Sequence, residues 1–314
     1  MSEALRVRGL TVSVGGLEVV RGVSFGLERG GRTGLIGESG SGKTLTALAI
    51  MGLLADGLTA RGEVRLGEED LMRLPERRLC RLRGDRLAMV FQEPMTALNP
   101  VMRIGDQVAE PFRVHRGLSR REAHARGLEL LERVRIQDAQ SKLGAYPHQL
   151  SGGQRQRVMI AIAMACSPEV LLADEPTTAL DVTVQAQVLD LLSRLVDEER
   201  CTLLLITHDL PVVSQLCDRV LVMYGGRIVE AGPAGEVFGR PLHPYTGGLI
   251  ETIPPLDEEL PGRRFRAIPG VVPGAGEFPA GCPFRNRCAR ADERCVEMPP
   301  LTGDGHQAAC WHPL

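Results

Sequence analysis

Gly37-Glu38-Ser39-Gly40-Ser41-Gly42-Lys43-Thr44 sets glycines, a lysine and a hydroxyl residue at the spacing G-x-x-x-x-G-K-[ST]. That combination suits the phosphates of a nucleoside triphosphate. Glycines let consecutive backbone N–H groups turn inward as an anion nest. A helix opening after the loop adds the positive end of its dipole. Lys43 brings a point charge to the β- and γ-phosphates, and the Thr44 hydroxyl can ligate Mg²⁺. Further along, Asp174-Glu175 closes the apolar run Val170-Leu171-Leu172-Ala173. Asp174 suits Mg²⁺, and Glu175 suits a general base that polarises an attacking water. Gln92 could ligate the metal and the water. His208 could reach the γ-phosphate, although a lone histidine is more often structural.

These residues need strand ends to hold them. Gly34-Leu35-Ile36 reads as the end of a buried strand and Leu45 to Ile50 as the first turns of a helix, the context the loop requires. Residues 5–14 and 17–25 alternate around Gly15-Gly16 and predict antiparallel strands. Short strands are expected at Arg61–Leu66, Leu87–Gln92, Val170–Ala173 and Thr202–Ile206, with a hairpin around Gly225-Gly226. Ser119-Arg120-Arg121-Glu122 is a capping-box pattern opening a helix with Leu128, Leu131 and Val134 on one face. Ser151 is a good N-cap for a helix through about Ala165, and Val182–Val196 is helical by spacing. Strands alternating with helices imply an α/β fold with a mainly parallel sheet, ligands sitting at the carboxyl ends of its strands. The stretch from Glu93 to Gln149 carries no strand signal and reads as a helical insertion.

Composition bounds the function. The chain has 314 residues, 43% hydrophobic and 24% charged, as expected of a large globular domain plus an appendage. A net charge of −2, a pI of about 6.4 and only 4% aromatic residues give no case for nucleic acid. No apolar run approaches the roughly 20 residues that span a bilayer, and the N-terminus has no signal-peptide core. A cytoplasmic protein is expected, reaching a membrane only through a partner. After about Thr252 the chain turns proline-rich, from Pro254 to Pro279, and predicts a linker and an irregular C-terminal module.

Leu150-Ser151-Gly152-Gly153-Gln154 extends the chemistry: an N-cap serine with two glycines exposes backbone N–H groups to an anion. At this point the chain resembles the ATP-binding-cassette (ABC) ATPases, over about residues 5–250. The resemblance implies a RecA-like P-loop NTPase fold with an antiparallel β subdomain and a helical subdomain at about 93–165, together forming an ATPase domain over 1–252. It implies that ATP with Mg²⁺ is bound by Gly37 to Thr44 and Asp174, with Mg²⁺ on Thr44, Gln92 and Asp174. Gln92 becomes the Q-loop residue, Glu175 the catalytic base, His208 the switch histidine and Ala179-Leu180-Asp181 the D-loop. Ser151, Gly152, Gly153 and Gln154 become the signature, which binds the ATP of the opposite subunit in a head-to-tail dimer. One departure is Val14, where the family usually stacks an aromatic residue on adenine; looser base selectivity is expected.

A narrower resemblance rests on Phe91 to Pro100, on His243-Pro244-Tyr245-Thr246 and on Gly281-Cys282-Pro283-Phe284-Arg285-Asn286-Arg287-Cys288. These segments look like the oligopeptide/dipeptide importer ATPases. The resemblance implies a subunit peripheral to the cytoplasmic side of the membrane. Its expected partners are a second, identical or related ATPase subunit and two transmembrane permease subunits. Through these it would serve an extracytoplasmic solute-binding protein. The Glu93–Pro100 region is expected to meet a membrane subunit. An importer for nickel or another small solute, a soluble non-transport ABC ATPase, and an ATP-gated clamp or redox-sensing module centred on the cysteines are the rivals.

Of eight cysteines, four are scattered and four close the chain as Cys282, Cys288, Cys295 and Cys310, spaced C-x5-C-x6-C-x14-C. A cytosolic location argues against disulfides. Four thiolates suit zinc or an iron–sulfur cluster, though the pairs are not C-x2-C. The resemblance implies a [4Fe–4S] cluster in the 253–314 module. Zn²⁺, with His306 or His312, is the alternative. Nothing in the sequence ties the module to ATP, so a structural role is expected.

Overall fold

A computed structural model describes residues 2–178, 180–252 and 267–314. Its strands are β1 Glu3–Val14, β2 Leu17–Glu28, β3 Arg32–Ile36, β4 Leu58–Leu66, β5 Glu69–Asp70, β6 Leu87–Val90, β7 Val170–Asp174, β8 Thr202–Ile206, β9 Arg219–Tyr224, β10 Arg227–Pro233 and β11 Gln307–Ala308. The helices are α1 Lys43–Met51, α2 Glu76–Leu82, α3 Pro94–Ala97, α4 Ile104–Arg116, α5 Arg120–Arg133, α6 Ala139–Lys142, α7 Gly152–Met164, α8 Val182–Glu199, α9 Leu210–Leu216, α10 Ala234–Gly239 and α11 Pro244–Glu251. Ala179 and the proline-rich stretch with Pro254, Pro255 and Pro261 lie outside the described residues.

Two units share these elements. The first takes the chain up to Leu5, then Leu27–Gly31 and Leu66–Leu205; the second takes Arg6–Gly26, Arg32–Arg65 and Ile206–Leu314.

In the first unit β6 and β7 pair in parallel from Leu87↔Val170 to Val90↔Ala173, and β8 lies beyond β7. β7 is buried along its whole length, so its run of apolar residues carries no alternation. α7 and α8 supply core residues Val158, Ile160, Val188, Leu192 and Leu195. Each fully buried aliphatic side chain contributes about 1.5–3 kcal/mol relative to exposure. The described residues between β6 and β7 form no strand. The Ser119–Glu122 capping box forms at the start of α5. Its buried face is Ala123, Gly127, Leu130 and Leu131, with Val134 beyond, while Leu128 is only half-buried.

In the second unit the strand order is β11-β10-β9-β3, with a separate sheet ordered β2-β1-β4. β3 and β9 are parallel; β9 and β10 are antiparallel around Gly225-Gly226. That turn has φ of 55° and 78° at its two residues, the left-handed pair of a type I′ hairpin. β11 comes from the C-terminal segment and adds an edge strand, pairing Glu230↔Ala308 and Ala231↔Gln307. The sheet is thus parallel where strands lead into candidate site residues and antiparallel at this edge.

Candidate functional site

In the second unit β3 runs buried into the glycine loop. Gly37 follows it, and a Cβ there would lie 2.1 Å from the Met223 carbonyl oxygen, so the backbone can pass only without a side chain. Lys43 opens α1 and is buried. Its Nζ donates to the carbonyls of Gly37 at 2.8 Å and Glu38 at 3.1 Å. The ammonium is therefore folded back over the loop it must serve. Ser41 Oγ is buried with no hydrogen-bond partner, an orphan hydroxyl inside an anion-binding loop. The Thr207 N–H donates to the Leu35 carbonyl at 3.3 Å, which sets the residue before His208 against β3. His208 is exposed, and Asp209 caps α9 through the Val212 N–H at 3.3 Å. Val14 ends β1 with 43% of its surface exposed.

In the first unit two neighbouring parallel strands aim their carboxyl ends the same way. Gln92 leaves β6 and Glu175 leaves β7. Gln92 Nε2 donates to Glu175 Oε2 at 3.1 Å, and Thr178 Oγ1 donates to the same oxygen at 2.8 Å. Asp174 is buried at the last position of β7. Glu175 has φ of 44°, the left-handed region that a non-glycine residue occupies at a cost of about 1–3 kcal/mol. The strained backbone thus falls on the residue whose carboxylate is held by two donors.

Ser151 caps α7. Its Oγ accepts from the Gln154 N–H at 3.3 Å, and Gln154 Oε1 accepts from the Ser151 N–H at 3.0 Å. The cap satisfies the third N–H of the helix. The N–H groups of Gly152 and Gly153 precede any intrahelical acceptor and sit at the positive end of the dipole. Gly153 also has a packing reason that spacing does not reveal: a Cβ would stand 2.6 Å from Val184 Cγ1. Asp181 caps α8 through the Val184 N–H at 3.0 Å.

The four clustered cysteines converge. Cys282, Cys288, Cys295 and Cys310 line one cavity with His243 and His312. Backbone N–H groups point at their sulfurs, Arg290 to Cys288 at 3.4 Å and His312 to Cys310 at 3.3 Å. Burial pushes the Cys282 thiol up to about 11, and the neighbouring cysteines add to the rise. Asp292, Cys295 and His312 offer ligand atoms within 4.8 Å of one another. His243 Nδ1 accepts from the Tyr245 N–H at 3.0 Å, which leaves the ring proton on Nε2. That Nε2 is buried with no partner, and burial lowers the ring to about 3, keeping it neutral. His306, one of two histidines considered for zinc, instead bonds Glu230 Oε1 at 2.7 Å.

Residues 20–178 match the family described as ABC transporter, and residues 229–295 match oligopeptide/dipeptide transporter, C-terminal region. The chain is 46% identical to the oligopeptide transport ATP-binding protein OppD of Salmonella typhimurium, over 96% of this chain and 90% of that protein. It is 49% identical to the probable D,D-dipeptide transport ATP-binding protein DdpD of Escherichia coli, over 95% and 92%. Among solved structures, a dimeric post-hydrolysis state of the ATP-binding cassette MJ0796 with ADP and Pi is similar at a TM-score of 0.66 and 29% identity, over 73% of this chain and 98% of that one.

Proposed function

The chain belongs to the ABC transporter family, and from that membership we propose that it is the ATP-hydrolysing subunit of an importer for oligopeptides or dipeptides. The match of residues 229–295 to the oligopeptide/dipeptide transporter C-terminal region carries the choice of solute class. The relatives named above are oligopeptide and dipeptide transport proteins of nearly the same length.

The site residues take these roles in the proposal. The N–H groups of Gly37 to Thr44 cradle the phosphates, and Lys43 turns from its own loop carbonyls to the β- and γ-phosphates. Mg²⁺ is assigned to Thr44, Gln92 and Asp174 on the family pattern; bound there, it neutralises phosphate charge. Glu175, oriented by Gln92 and Thr178, accepts a proton from the attacking water, and His208 contacts the γ-phosphate. Ser151, Gly152, Gly153 and Gln154 present the open end of α7 to the ATP of a second ATPase subunit. The dimeric state of the similar MJ0796 cassette supports that arrangement.

No helix among the described residues is long and apolar enough to cross a membrane. In the proposal, two permease subunits carry the solute across, the extracytoplasmic solute-binding protein is reached through them, and this chain sits peripherally on the cytoplasmic face. The segment beginning at Glu93 suits that contact. Leu98 is buried, and Gln107 pins Asn99 by accepting from its N–H at 2.9 Å and donating to its carbonyl at 3.0 Å. Around this anchor Met95 is 53% and Val101 83% exposed, apolar surface offered to a partner helix.

For the C-terminal module the reading is a [4Fe–4S] cluster on Cys282, Cys288, Cys295 and Cys310. The donor set fits: four thiols line one cavity with N–H groups aimed at two sulfurs, and His243 Nε2–H lacks an acceptor that a sulfur would supply. Such a group cross-links an irregular segment. Co-purification from membranes, with identification of the bound subunits, tests the whole reading. Peptide permease subunits are expected, and a metal-ion permease or no membrane partner would overturn it.

A further inference from the structure

Arg287 lies between Cys282 and Cys288 in sequence, yet its side chain rests on the phosphate-binding loop. It is 6% exposed, against 27% for Glu38. Nη1 donates to Glu38 Oε2 at 2.7 Å and Nη2 to Glu38 Oε1 at 3.2 Å, a two-pronged ion pair. Nη1 also donates to Tyr224 Oη at 3.2 Å, and Nε donates to the Pro269 carbonyl at 2.8 Å. With all three nitrogens engaged, the plane of the guanidinium is fixed.

Glu38 is the second residue of the loop and its only carboxylate. It is held three ways: its side chain by Arg287, its N–H by Tyr245 Oη at 2.8 Å, and its carbonyl by Lys43 Nζ at 3.1 Å. The rings around the pair are packed, with Tyr224 and Tyr245 centroids 4.6 Å apart and Phe284 5.3 Å from each. The turn carrying Arg287 is tied at both ends to cysteines. The Arg285 N–H donates to the Cys282 carbonyl at 3.2 Å and the Cys288 N–H to the Arg285 carbonyl at 3.3 Å.

A carboxylate in a loop built for a triphosphate opposes its ligand, because like charges in a partly buried site repel strongly. We propose that Arg287 is a positioning residue for MgATP: it neutralises Glu38 and pins the phosphate-binding loop, joining the cysteine module to the nucleotide site. This rests on the reading that the loop binds ATP.

Equilibrium binding of MgATP to the full chain, followed by calorimetry, tests it with R287M, R287K, E38Q and R287M/E38Q. R287M is expected to weaken binding about tenfold, the size of coupling within one ion-pair network. R287K, which keeps the charge but loses the fork, should fall between R287M and the wild type. R287M/E38Q should return to within about threefold of the wild type, because the stranded carboxylate is gone. A double variant that binds no better than R287M would mean Arg287 serves only the fold, and would overturn the proposal. So would an R287M protein that binds as the wild type does. Should R287M fail to fold, R287K against R287K/E38Q makes the same comparison. A wild-type chain that does not bind MgATP would count against the ATPase reading itself, whereas a binding wild type with an indifferent R287M removes Arg287 alone.

Discussion

Gln92 Nε2 donates to Glu175 Oε2 at 3.1 Å, across residues 83 apart in sequence. The two side chains leave the carboxyl ends of adjacent parallel strands, so the bond follows from the register of β6 and β7. Thr178 places a second donor on the same oxygen at 2.8 Å. Two donors on one oxygen fix the orientation of this carboxylate.

In the proposed mechanism, replacing Glu175 by glutamine keeps the shape but removes the base. Turnover should drop by about 10²–10⁴-fold while MgATP binding persists. Phosphate release and ATP binding on the same preparation check this; unchanged turnover would remove Glu175 from the mechanism.

Gly153 is required by Val184, whose Cγ1 would lie 2.6 Å from an added Cβ. Gly153→Ala should destabilise the chain by about 1–3 kcal/mol through overpacking, and Val184→Ala in the same chain should relieve most of it. Thermal unfolding of the single and double variants reads this directly. Additive losses would show that Val184 is not what the added methyl meets.

The cysteine cavity predicts a metal-dependent module. Anaerobically purified protein should be brown and contain iron, and Cys288→Ser should lower the iron content and the melting temperature together. Colourless protein with stoichiometric zinc would replace the cluster by a zinc site, with His312 then the available imidazole.

Val14 is exposed at the end of β1, and in the proposed site it stands where the family usually places a ring against adenine, with only aliphatic contact to offer. ATP and GTP should therefore compete on similar terms. Val14→Tyr should tighten ATP binding by about 1 kcal/mol, the lower end of base–aromatic stacking. A sharp preference for ATP in the wild type would reject this account of the position.

Arg86 joins two carboxylates, donating to Glu169 at 2.5 Å and to Glu69 at 2.8 Å. The hydrogen bond from Arg86 holds Glu169 below its ordinary value of 4.5, against the opposing effect of burial. A depressed folded value means the unfolded chain takes up the proton first. The stabilisation is thus complete above about pH 4.5 and is lost as pH falls through the folded value. Acid unfolding should be shallower for Glu169→Gln, whose stability no longer depends on that proton. Identical acid limbs for wild type and variant would exclude the pair as a source of acid sensitivity.

What the sequence determined by itself is local. The Ser119–Glu122 and Ser151–Gln154 caps are set by residues three apart, which meet whenever the backbone takes its preferred angles, and the Gly225-Gly226 turn by two adjacent residues free to take positive φ. The order of the phosphate loop, Gln92, signature, acidic pair and histidine is likewise legible, because each motif carries its own strand end or helix start. Tertiary structure alone decided the rest. Arg287 and Glu38 stand 249 residues apart, and no local preference of either tells that they meet. The demand of Val184 for a glycine at 153, the edge strand β11 and the gathering of four cysteines around one cavity have the same origin. Each depends on where a distant stretch of chain is brought by burial of apolar surface, a force without direction, and only the packed result assigns the partners.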